Sequence, residues 1–137
     1  MDIIASIKVK SELKKLEYIR TFIVDEAIKL GLTLEAAHQL RLAVDEACSN
    51  IIIHGYQHSD GIVEVVVYRE KGAMVVHIKD KARSFNPLSK DDHPDFTIPL
   101  SEREVGGMGI FLIHQNTDSV AYRSSESGEN VLILTKS

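Results

Sequence analysis

One cysteine, Cys48, is present in 137 residues, so no internal disulfide framework can staple this fold, and such sparse usage fits a reducing compartment. No apolar run approaches the roughly 20 residues of a membrane span. The N-terminus also lacks a signal-peptide pattern, since Met1-Asp2-Ile3-Ile4 passes into alternating residues and then charges. A cytoplasmic location without a membrane partner is therefore expected. A basic excess is missing too: 16 Lys and Arg face 20 Asp and Glu, a net charge of −4. That argues against a protein that grips the phosphate backbone of nucleic acid directly. The six histidines are scattered without zinc-like spacing. The 44% hydrophobic and 26% charged content suits a soluble globular protein, and the length suits one domain covering residues 1–137.

Periodicity indicates how that domain is built. Residues 3–9 alternate apolar and polar as an opening strand. Ser11 then reads as a cap for a helix carrying Leu13, Leu16, Ile19, Phe22, Ile23 and Ala27, which stops near Gly31. Thr33 caps a second helix with the core stripe Leu40, Val44, Ala47 and Ile51. Residues 62–69 and 73–79 form a hairpin around Glu70-Lys71-Gly72, and residues 118–124 and 130–136 form another around Ser127-Gly128. Between the hairpins lies an irregular segment, residues 81–105, holding all three prolines, followed by a helix over 110–115. The order β-α-α-β-β-loop-α-β-β predicts an α/β (α+β) two-layer sandwich. Its sheet is mixed and mainly antiparallel, with helices on one face.

Chemistry concentrates at three places. In Asp45-Glu46-Ala47-Cys48-Ser49-Asn50, running into His54-Gly55-Tyr56, the residues Glu46, Asn50 and His54 recur at i, i+4 and i+8. A continuous helix stacks them on one face. A carboxylate there can take a proton or orient water, and an amide oxygen can ligate a hard cation such as Mg²⁺. Cys48 beside them reads as packing. Asp80, at a strand end, can accept a hydrogen bond from an exocyclic amine such as adenine's. Gly106-Gly107-Met108-Gly109 opens a helix at Ile110, where unpaired N–H groups and a positive dipole end suit a phosphate. Together they describe an ATP site with Asn50-held Mg²⁺ and Glu46 near the terminal phosphate. No G-x-x-x-x-G-K-[ST] motif is present.

These motifs resemble those of the Bergerat-fold (GHKL) ATPases, in particular the small bacterial anti-sigma factor and serine-protein kinase family. Residues 46–56 look like its N-box, with Glu46 at the catalytic-base position and Asn50 at the Mg²⁺-ligand position. Residues 80–87, with Asp80, Phe85 and Pro87 at matching positions, correspond to the first glycine box. Gly106, Gly107, Met108, Gly109 and Ile110 correspond to the second, and the segment between looks like an ATP lid. Ala82 stands where the family carries glycine, which leaves nucleotide affinity open. The resemblance also implies a nucleotide-facing His54. Arg103, just before the second glycine box, reads either as a phosphate ligand or as a solvated lid arginine. Arg20 on the first helix sits where the family meets its partners, although an exposed surface arginine is the simpler reading.

The implied function is a protein kinase that moves the γ-phosphoryl group of ATP to a serine on a STAS-domain anti-sigma antagonist and sequesters a sigma factor. A homodimer is also admitted. The alternative is a non-catalytic partner-binding module on the same fold, favoured by Ala82 and opposed by Glu46 and Asn50. A sensor-kinase ATPase domain ranks last, for want of a preceding helix pair with a phosphoacceptor histidine.

Overall fold

The computed structural model describes residues 1–57, 59–82, 107–125 and 127–137. Strand β1 (Asp2–Lys10) leads through a 3-10 turn (Leu13–Lys15) into α1 (Leu16–Lys29) and α2 (Leu34–Asn50), whose end widens into a π-helical turn (Ile51–Gly55). Strands β2 (Ile62–Glu70) and β3 (Ala73–Asp80) follow, then α3 (Gly107–Gln115), β4 (Ser119–Ser124) and β5 (Asn130–Lys136). The five strands form one sheet in the order β1-β2-β3-β5-β4, and every pairing among them is antiparallel. The expected mixed sheet is thus wholly antiparallel among the described residues, with three helices.

Alternation explains the layering. Val63, Val65 and Val67 of β2, Met74, Val76 and Ile78 of β3, and Leu132 and Leu134 of β5 all face one side and are buried. They share one core with Ile19 and Ile23 of α1, Leu40 and Val44 of α2, and Ile113 of α3. On the opposite side the Tyr68 and His77 rings meet at 4.5 Å.

The helix boundaries follow local chemistry, with one correction. Leu32 N–H bonds the Ala27 carbonyl and Gly31 N–H the Ile28 carbonyl, with Gly31 at φ +92°, a Schellman ending for α1. The Thr33 hydroxyl accepts the Ala36 N–H at 3.1 Å, capping α2 as the sequence suggests. Ser11 does not cap α1. Glu12 holds the position before the 3-10 turn and makes no side-chain cap. The Ser11 amide instead donates to the Gly61 carbonyl at 2.9 Å, extending the β1–β2 pairing, and its buried hydroxyl has no partner among the described residues.

Candidate functional site

The β3–β5 register places Asn130 directly opposite Asp80, at the end of the sheet's helix-covered face. Asn130 Nδ2 donates to Asp80 Oδ1 at 2.9 Å and to the Ala82 carbonyl at 3.2 Å. Asn130 Oδ1 accepts from the Tyr122 hydroxyl at 3.0 Å and the Ser124 hydroxyl at 3.2 Å. The carboxamide's four hydrogen-bonding positions are therefore filled, and its orientation is determined. Ala82 N–H also donates to Asp80 Oδ1 at 2.9 Å. Among the described residues both bonds to the carboxylate land on Oδ1, which leaves Oδ2 for another donor. Burial raises the Asp80 pKa, the bonds from Asn130 and Ala82 counter it in part, and Glu129 adds to the rise.

Ala82 fits this arrangement without backbone strain. Gln57 and Lys71 are the only non-glycine residues at positive φ among those described, so Ala82 occupies ordinary backbone space. A glycine is not required here for dihedral freedom.

Asp80 and Asn130 share a cavity with Asn50, walled by Ala47, Ile51, Ile113 and Leu132. Its volume is about 30 Å³. At its side the second glycine segment meets α2. A Cβ added at Gly109 would stand 3.1 Å from Glu46 Oε2 and 3.3 Å from Asn50 Nδ2, so a larger residue there would press the ends of both side chains back. Glu46 and Asn50 are half-buried. Partial burial, and then the charge of Asp45, raises the Glu46 pKa, the direction that strengthens a carboxylate as a proton acceptor.

The other sequence-stated residues fall in different places. His54 lies in the π-helical turn and is exposed. The stack at i, i+4 and i+8 ends at Asn50, because the wider turn changes the angular step from Ile51 onward. Arg20 is half-buried, and its Nε bonds Asp45 Oδ1 at 2.7 Å, beside Glu46 in sequence. The guanidinium expected at a free surface is thus anchored to α2. Gly107 and Met108 begin α3, and Ile110 is buried within it. Phe85, Arg103, Gly106 and the lid expected over residues 90–105 lie outside the described residues.

Sequence reading missed Asn130 and Tyr122. One signal was available for Asn130, a carboxamide opening the otherwise apolar strand segment Asn130-Val131-Leu132-Ile133-Leu134. Tyr122 carried none, because its partner is set by the β4–β5 register.

Comparison with known proteins shows the family. Residues 9–136 match the family described as the histidine kinase-like ATPase domain. The anti-sigma F factor of Bacillus cereus (strain G9842) is 33% identical over 109 residues, 79% of this chain and 74% of that protein. The anti-sigma F factor of Thermoanaerobacter sp. (strain X514) is 28% identical over 119 residues, covering 87% and 82%. In structure the chain is similar to a protein solved as the RsbU and RsbW domains of Rv1364c from Mycobacterium tuberculosis, with a TM-score of 0.65 and 12% identity. That match covers 96% of this chain and 32% of the longer one, and it shows the shared fold. The chain belongs to the histidine kinase-like ATPase domain family, which here includes the anti-sigma F factors. No described helix is long and apolar enough to cross a membrane.

Proposed function

We propose that the chain is an ATP-dependent serine-protein kinase and anti-sigma factor that phosphorylates a STAS-domain antagonist and holds a sigma factor in the cytoplasm. The observation that carries this reading is the convergence of Asp80 and Asn50, 30 positions apart, on one cavity, with Gly109 packed against Asn50 and Glu46. Adenine would donate its exocyclic amine to Asp80 Oδ2, and the first turn of α3 would offer N–H groups to the phosphates. The residues present fit a magnesium nucleotide: Asn50 supplies an uncharged oxygen ligand beside a glycine-lined approach. When bound, Mg²⁺ neutralises phosphate charge. Glu46 would take the serine proton as the serine oxygen bonds to the γ-phosphorus and the bond to the β–γ bridging oxygen breaks, leaving ADP.

Arg20, held by Asp45, remains the residue of α1 we assign to a partner surface, and a second copy of the chain is admitted as a partner. Incubating the protein with Mg-ATP and a STAS-domain antagonist tests the reading. Serine phosphorylation on the antagonist is the expected result. Tight antagonist or sigma-factor binding with neither phosphorylation nor ATP affinity would instead establish the non-catalytic partner-binding module.

A further inference from the structure

Tyr56 leaves the π-helical turn that follows Asn50, where its own N–H closes the wide turn on the Ile51 carbonyl at 2.8 Å. Its ring lies against Gly61 so closely that any Cβ at that position would overlap ring atoms. Its hydroxyl donates to the Ile62 carbonyl at 2.8 Å and accepts the Lys81 N–H at 2.8 Å. Lys81 stands between Asp80 and Ala82. Three consecutive residues are therefore held from two directions: Asn130 on β5 grips Asp80 and the Ala82 carbonyl, and Tyr56 grips the Lys81 amide. The same turn begins one residue after Asn50, so a single segment links the expected metal ligand to the backbone behind the expected base ligand. A π-helical turn recurs at functional sites because it re-aims the residues that follow it.

We propose that Tyr56 is a positioning residue for the nucleotide site, setting the Lys81 peptide and through it the carboxylate of Asp80. This rests on the ATP-site reading. Both bonds of the hydroxyl are solvent-exposed, so water can replace them in Tyr56→Phe and the fold should survive with its ring packing intact. What water does not reproduce is the fixed position of Lys81.

The test compares wild type with Tyr56→Phe in thermal stability, ATP and GTP affinity in the presence of Mg²⁺, and hydrogen exchange at the Lys81 amide. The variant should melt near wild type, exchange faster at Lys81, and bind ATP about fivefold more weakly, the size of one hydrogen bond. Its preference for ATP over GTP should shrink by a similar factor, since only adenine offers Asp80 an amine at that position. Unchanged ATP affinity in a protein whose wild type binds ATP overturns the positioning role alone. So does an equal loss for both nucleotides, or an unchanged Lys81 exchange rate. Failure of the wild type to bind ATP overturns the nucleotide reading itself, and this role with it.

Discussion

The two ends of the candidate site are built differently. At the Asp80 end, the support is tied down: Asn130 spends its whole carboxamide on Asp80, Ala82, Tyr122 and Ser124 and leaves Asp80 Oδ2 presented. At the Glu46 end, carboxylate and carboxamide stand half-buried on one helix, separated from α3 by no more than the missing Cβ of Gly109. The first end suits recognition, because a presented acceptor costs no rearrangement when the ligand arrives. The second suits chemistry, since a group that must receive a proton cannot be locked into hydrogen bonds that satisfy its charged form.

Separating chemistry from recognition is the sharpest test of that contrast. Glu46→Gln keeps shape and polarity but removes the base, so phosphoryl transfer should fall by about 10²–10⁴-fold. ATP affinity should stay within about twofold, because a base acts in the transition state and not in the bound ground state. Equal transfer rates in variant and wild type would remove Glu46 from the mechanism.

Asp80→Asn should do the reverse. Loss of a charged acceptor weakens ATP binding about 10- to 100-fold, on the scale of a charge-assisted hydrogen bond. The unliganded protein should become more heat-stable at neutral pH. The sign follows from the raised pKa of Asp80 in the fold: its stability contribution is whole below the unfolded value and is lost as pH rises through the folded one. At pH 7 the folded protein therefore holds a charge it would hold more easily unfolded, and the neutral amide relieves this. A lower melting temperature for the variant would mean that the two hydrogen bonds to Oδ1 outweigh burial.

Asn130→Ala probes the support and not the ligand. It strips a partner from Asp80, from the Ala82 carbonyl and from two hydroxyls, so about 1–3 kcal/mol of stability should be lost in chemical denaturation. ATP affinity should fall with it. A variant that lost stability but bound ATP normally would show that Asp80 needs no such support.

The smallest effect is expected on the opposite face of the sheet, as a control away from the site. Burial lowers the His77 pKa, with Arg123 and Lys79 adding to the shift. Its neutral form is favoured in the fold, so stability is complete above the unfolded value near 6.5 and falls as pH drops below it. His77→Gln should flatten that part of the stability–pH curve and leave ATP binding unaltered. A curve of unchanged slope would place the acid sensitivity elsewhere.

These two ends were also unequally legible in the sequence. Glu46 and Asn50 needed only the helical step of four residues, and the strands needed only their alternation with turns at Lys71-Gly72 and Ser127-Gly128. Asp80 could be suspected from its place at a strand end, yet its support by Asn130 could not, because 50 residues and a strand register separate them. The interruption of the continuous helix before His54 was illegible for a local reason: nothing in Ile51-Ile52-Ile53 announces the π-helical turn. Ser11 failed as a cap because β1–β2 pairing runs on through its amide to Gly61 and Glu12 takes the position before the turn.

The sequence by itself determined which residues face the core, where the helices and hairpins fall, and that a carboxylate and a carboxamide share one helical face. Those properties depend on backbone periodicity and neighbouring side chains. Only the tertiary structure decided that Ala82 is free of strain, that Asn130 orients Asp80, that Gly109 closes on Glu46, and that Arg20 is bound to Asp45. The last three are contacts between segments far apart in the chain. Their existence depends on strand register and on how closely helices pack, which local propensity does not encode.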